Sequence, residues 1–344
     1  MADKVLVLVN LGSPDEPTPK AVGRYLREFL MDPNVIDKPF WFRALLVYGI
    51  IVPFRKYKSA KAYQKIWTSK GSPLKVNTAQ LAKSLQIELG NEWRVDWAMR
   101  YGSPNLNSLF ELLASEQPKE LVILPLYPQK AKSSSGTVLD VVHSWVPRFN
   151  GQVRVIEPFF KQSEFIEAQA AVIQENWQRQ PGDYLLFSFH GLPERHVRET
   201  DMAPGGCLQA QNCCEILTAR NHHCYRAQCY STAKSVAAKL GLEAGAWSVS
   251  FQSRLGREPW IQPFTDRVLT DLAEKGQRRV LVTCPAFVAD CLETVEEIGI
   301  RAKEDYQKSG GTLDLLPALN NNTLWVKNLA KAVRENRWPT RLLQ

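Results

Sequence analysis

His190 ends an apolar run, residues 184–189, and is followed at once by Gly191 and Pro193, so it stands at a sharp exit from a strand. A neutral imidazole placed there can accept a proton near pH 7 or bind a metal ion, which few side chains can do. A hydrogen-bonded structural histidine is the ordinary alternative. A second apolar run, 280–284, precedes Asp290, Glu293 and Glu297, spaced i, i+3, i+7. On a helix beginning near Asp290, which reads as its N-cap, they share one face, with Leu292, Val295 and Ile298 on another. Carboxylates grouped in this way can pass protons or meet a cation. Asp290 is explained as well by a helix dipole, which favours acids in a first turn, but Glu293 and Glu297 lie deeper.

Five of the seven cysteines fall between Cys207 and Cys229, in the spacing C-x5-C-C-x9-C-x4-C. The chain opens with only five apolar residues before Asn10, too few for the core of a signal peptide, so a cytoplasmic protein with reduced thiols is expected. Cys207, Cys213, Cys214, Cys224 and Cys229 then read as metal ligands or free thiols, and His222 and His223 offer zinc an imidazole. The spacing matches no standard ferredoxin pattern.

The elements that must position these groups alternate between short apolar runs and helical stretches. Runs at 5–9, 95–99, 121–126, 153–156, 184–189, 246–251 and 280–284 read as strands. Parallel strands need crossover helices, so the pattern predicts an α/β chain with two Rossmann-like domains, each a parallel sheet flanked by helices. A length of 344 residues fits two domains, taken as 1–165 and 166–344. The turn Asn10-Leu11-Gly12-Ser13-Pro14 echoes Phe189-His190-Gly191-Leu192-Pro193. Both follow strands, where ligands of open α/β sheets bind.

Apolar residues at 44% and charged residues at 23% describe an ordinary globular chain. A formal charge of +8 and a pI near 9.1 favour an anionic partner. The basic residues form no run of five and no nucleic-acid motif, so nucleic acid is excluded as a partner. Residues 39–54 are strongly apolar but interrupted by Arg43 and shorter than the roughly 20 residues a bilayer span needs. They read either as a buried helix hairpin or as an exposed lip that admits a greasy substrate or rests peripherally on a membrane.

The block Phe187-Ser188-Phe189-His190-Gly191-Leu192-Pro193 resembles the signature around the active-site histidine of the ferrochelatase family. Residues 285–297, from Pro285 through Asp290-Cys291-Leu292-Glu293-Thr294 to Glu297, resemble the second signature, which supplies the glutamate. The blocks Phe251-Gln252-Ser253-Arg254-Leu255-Gly256-Arg257, Gly71-Ser72-Pro73-Leu74, Met99-Arg100-Tyr101-Gly102-Ser103-Pro104 and Leu126-Tyr127-Pro128-Gln129 also fall in family order. The resemblance runs from about Val5 to Pro317. It implies chelatase-type domains with the active site in the cleft between them, and insertion of Fe²⁺ into protoporphyrin IX to give protohaem with release of two protons. Under it His190 and Glu293 face the metal, Glu297 extends the carboxylate path, and Leu11, Arg100, Tyr101 and Trp260 contact the porphyrin. The 39–54 lip suits vinyl-bearing, membrane-associated protoporphyrin better than coproporphyrin.

Two features depart from the family pattern. Cys291 stands where many members carry a histidine, which removes a second imidazole from the site. The cysteine-rich stretch, about 205–230, looks like an internal insertion. Some members hold a [2Fe–2S] cluster, and four of the five cysteines here supply enough thiolates for one, with zinc or no metal as the alternatives. Rival functions are another tetrapyrrole metal chelatase, a coproporphyrin enzyme, or a noncatalytic haem or porphyrin binder.

Overall fold

A computed structural model describes residues 3–179, 181–200, 206–210, 212–254, 256 and 258–343. Leu255 and Arg257 of the third sequence block, and Gly205 and Gln211 of the cysteine-rich stretch, lie outside them.

The chain divides into two units of similar size. The first comprises 1–127, 131–158 and 329–344, and the second 128–130 and 159–328. The chain passes from the first unit into the second near residue 160, and its end returns to the first unit. The reason is a pairing the sequence reading missed. In the first unit β1 (Lys4–Ser13), β2 (Trp93–Gly102), β3 (Glu120–Pro125), β4 (Gln152–Ile156) and β9 (Thr340–Leu343) form a sheet in the order β2-β1-β3-β4-β9. β9 runs antiparallel to β4, so this sheet is not wholly parallel.

The second unit carries β5 (Tyr184–His190), β6 (Trp247–Gln252), β7 (Arg279–Thr283) and β8 (Thr312–Leu315) in the order β6-β5-β7-β8, all parallel. Central strands read as unbroken apolar runs because helices cover both faces. In β1, Val5, Val7 and Val9 pack with Phe110 and Val142 from flanking helices, while Leu6 and Leu8 are buried on the other face. β5 is buried in the same way from Tyr184 to Phe189, and only His190 at its end is partly exposed.

Residues 40–66 form one continuous helical stretch rather than a hairpin. It passes from α-helix (Phe40–Ala44) through π-helix (Leu45–Ile51) into α-helix (Val52–Ile66). Val47 and Val52 are buried anchors, and buried Arg43 donates to the carbonyls of Ile36 and Lys38. Trp41 at 69% and Phe54 at 76% exposure show that the segment is an open apolar surface. Among the described residues no helix is long and apolar enough to cross a membrane.

Candidate active site

The second unit builds its site at the carboxyl ends of β5 and β6. His190 closes β5 in register with Gln252. The turn after it is sewn to the β6 exit: Gly191 N donates to Gln252 O at 2.6 Å, Ile261 N to Leu192 O at 3.0 Å, and Glu194 N to Pro259 O at 2.9 Å. Only glycine suits position 191, since a Cβ would stand 2.8 Å from Ser253 O and 2.9 Å from Gln252 O, with Trp260 at 3.3 Å. His190 Nδ1 lies 2.6 Å from Gly191 O. A carbonyl only accepts, so Nδ1 donates, and in the neutral ring the free lone pair is on Nε2. Tyr225 fixes the same peptide from another side, its hydroxyl donating to His190 O at 2.8 Å. Burial pushes the Tyr225 phenol far up, so it remains a donor.

The carboxylates arrive on a different element from the one expected. The helix after β7 is a π-helix, Glu293–Ala302, continuing as α-helix Lys303–Lys308. Such wide turns are rare and concentrate at functional sites. Asp290 is not its cap. It accepts instead from Thr294 Oγ1 at 3.0 Å, Ala318 N at 3.3 Å and Asn320 Nδ2 at 2.7 Å, tying the 318–320 loop to the helix start. Glu293 and Glu297 are both partly exposed. Gln252 Nε2 donates to Glu293 O at 2.7 Å, and Glu297 accepts from Ser253 N at 3.0 Å and Ser253 Oγ at 2.5 Å. Ser253 adopts φ 61°, a conformation that costs a non-glycine residue energy and persists only where its surroundings hold it.

Gln252 is therefore the common fastening. Its side chain is 3% exposed and also accepts from Ser188 Oγ at 2.8 Å. Ser188 and Ser250 share a buried hydroxyl network with Thr265. Through Gln252 the His190 turn and the Glu293 turn meet one residue. Cys291 is buried and its thiol is pushed well up, by burial first and then by the Glu293 carboxylate, so it stays a neutral thiol. Phe287 packs edge-on to the His190 ring at 6.3 Å.

In the first unit Leu11 is partly exposed at the end of β1, next to Gly12, whose φ of 126° brings it so close to Tyr101 O that a Cβ would stand 1.9 Å away. Arg100 Nη2 contacts Asp32 Oδ2 at 2.6 Å and Nε donates to Thr137 O at 2.9 Å. Its guanidinium lies 4.4 Å from the Tyr101 ring centre. Tyr101 is buried and donates to the same Asp32 oxygen at 2.9 Å; burial raises its phenol strongly. Asp32, the hub of this trio, was not singled out from the sequence.

The cysteine-rich stretch also lies in the second unit. Cys213 and Cys214 sulfurs are 3.3 Å apart, Cys214 and Cys224 3.9 Å, and Cys207 hydrogen-bonds Cys224. That bond pushes the Cys224 thiol up to about 11; Cys214 is raised mainly by its bond to Cys224, and Cys213 mainly by burial. The Arg226 guanidinium hydrogen-bonds Cys214. Cys229 is fully buried behind this group, beside the Tyr225 hydroxyl. Among the described residues no three His, Cys, Asp or Glu side chains converge as a single metal ion requires.

Comparison with known proteins adds a family. A family model described as Ferrochelatase matches residues 3–337. A curated ferrochelatase of Coxiella burnetii is 43% identical over 332 residues, covering 96% of this chain and 93% of its own. One from Azotobacter vinelandii is 46% identical over 343 residues, covering 97% and 99%. Among solved structures, the sirohydrochlorin chelatase SirB from Bacillus subtilis subspecies spizizenii, in complex with cobalt, aligns with TM-score 0.55 over 97% of this chain and 95% of its own. At 8% identity that likeness speaks for the fold alone.

Proposed function

This chain belongs to the ferrochelatase family, and on that premise we propose that His190, Glu293 and Glu297 carry the insertion of Fe²⁺ into protoporphyrin IX. The protein is an enzyme that places iron in a porphyrin, forming haem. The free ring gives up two pyrrole protons as iron enters, so the site needs acceptors. The observation that carries the assignment is the 2.6 Å contact of His190 Nδ1 with Gly191 O, which in the neutral ring leaves Nε2 as the proton acceptor. Glu293 and Glu297, held from Gln252 and Ser253, supply negative charge to draw in Fe²⁺ and take protons onward. Leu11 in the first unit and Trp260 in the second, both partly exposed, each suit porphyrin contact, whereas Tyr101 is buried and Arg100 is engaged by Asp32, which suits these two to a supporting role in the first unit.

For the cysteines, a [2Fe–2S] cluster held by Cys207, Cys213, Cys214 and Cys224 is the reading we favour. Their sulfurs form a string of close pairs, which suits thiolates divided over two irons better than four ligands meeting at one zinc. Such a cluster would supply redox-active iron that the chelation step does not consume. Within this segment Cys224 precedes Tyr225, so anything that fixes Cys224 also fixes the hydroxyl on His190 O. The open apolar surface of 39–54 supports peripheral contact with a membrane, where a vinyl-bearing porphyrin dissolves.

Anaerobically purified protein, mixed with protoporphyrin IX and Fe²⁺, should lose free-base absorbance over many turnovers, and His190→Ala should abolish this. Normal turnover by the variant would overturn the mechanism; faster turnover of coproporphyrin would overturn the substrate. Visible absorption with matched iron and acid-labile sulfide is expected of the untreated protein, and stoichiometric zinc in its place would overturn the cluster.

A further inference from the structure

The net charge of this protein is concentrated on the segment that carries the apolar surface. Residues 38–75 hold nine lysines and arginines and no aspartate or glutamate, leaving 34 basic and 35 acidic residues in the rest of the chain. The excess of positive charge is thus local to this segment.

The helix Val52–Ile66 turns this imbalance into a surface. It buries Val52, Ala60, Tyr63 and Ile66. At about 100° per residue, Phe54, Tyr57, Lys58, Lys61 and Lys65 fall within one stripe about 100° wide on the opposite side. All five are exposed. The stripe is aromatic at its start and basic along the rest. Upstream, on the same helical stretch, Phe40, Trp41, Leu45 and Ile50 are exposed as well.

We propose that this face recognises anionic lipid specifically, the aromatic and aliphatic side chains entering the headgroup boundary while Lys58, Lys61 and Lys65 lie against lipid phosphates. The inference rests on the membrane contact proposed above and adds the class of lipid. A helix with an apolar stripe beside lysines binds a membrane plane by buried apolar area plus attraction to anionic headgroups. A second copy of the chain is a poor occupant, since it would set the exposed Lys58, Lys61 and Lys65 against the same three lysines. Each lysine near an anionic surface strengthens partitioning about five-fold, and salt screens the effect over roughly 8 to 10 Å.

The test is co-sedimentation of the full chain with vesicles of phosphatidylcholine alone or containing a minor share of phosphatidylglycerol. Binding should favour the phosphatidylglycerol vesicles and weaken as salt is raised. The triple variant Lys58→Gln, Lys61→Gln, Lys65→Gln should lose on the order of 100-fold in partitioning to them, with an unchanged thermal transition as evidence of an intact fold. Equal binding to both vesicles, or an unaffected triple variant, overturns the anionic inference and leaves membrane contact standing. No binding to either vesicle removes both. Phe54→Ser should weaken binding to both kinds, which separates the apolar contribution from the charge.

Discussion

The π-helical stretches Leu45–Ile51 and Glu293–Ala302 share a backbone geometry and little else. The first is apolar, fixed by the single buried side chain of Val47, and leaves Leu45, Tyr48 and Ile50 open to solvent. The second buries Thr294, Glu296 and Ile298 and is gripped from the neighbouring strand end, by Gln252 on the Glu293 carbonyl and by Ser253 on the Glu297 carboxylate. A wide turn does not by itself make a catalytic element. What distinguishes the two is external hydrogen bonding that holds named atoms in place, and a reacting group displaced by about 1 Å can cost on the order of 100-fold in rate.

The sharpest way to break the contrast is Gln252→Ala. It leaves the Glu293 carbonyl without its Gln252 donor, removes one of the two side-chain partners of the Ser188 hydroxyl and opens a cavity, at a cost of about 3 kcal/mol. Chelatase kcat should fall about 100-fold with it. Denaturant unfolding and steady-state rates measure both, and an unchanged kcat would mean that Gln252 does not position the site. Tyr225→Phe is gentler. It keeps the ring and removes only the hydroxyl on His190 O, so stability should fall by about 1 to 2 kcal/mol and kcat by roughly ten-fold. Iron and sulfide content should not change; if they fall with kcat, the tyrosine serves the cysteine segment rather than the histidine. On the other π-helix, Ile50→Ser should change stability by less than about 0.5 kcal/mol, because no buried contact is lost. A larger loss by calorimetry would show that the surface is packed in solution.

The sequence reading reached different depths in these two regions. Apolar residues 39–54 announced something unusual, yet composition alone left a buried hairpin and an open surface equally available. Only the side-by-side placement of Val47 and Val52 inward and Phe54 outward decided between them. For the carboxylates, the i, i+3, i+7 spacing pointed to Glu293 and Glu297 but could not tell a π-helix from an α-helix, since groups four apart lie close to one line in either. Asp290 was read as a cap and is instead bound to the 318–320 loop, a partner 28 to 30 residues away. Gln252, Ser253 and Tyr225 stood in the motifs already noted, but their roles were hidden, because each acts through a contact distant in the chain.

The sequence by itself marked seven of the strands, most plainly the central ones buried on both faces, whose runs must be apolar, and its local motifs singled out His190, Glu293 and Glu297 as candidates. β8 and β9 escaped because each is four residues long and mostly not buried, so no apolar run marks them. Only the tertiary structure decided that 329–344 rejoin the first sheet, that one buried glutamine fastens the His190 turn and the Glu293 turn, and that four of the five cysteines group while Cys229 lies behind them. Burial pattern and turn chemistry are written over a few neighbouring residues. Hydrogen bonds between distant segments depend on register and packing, which no local pattern encodes.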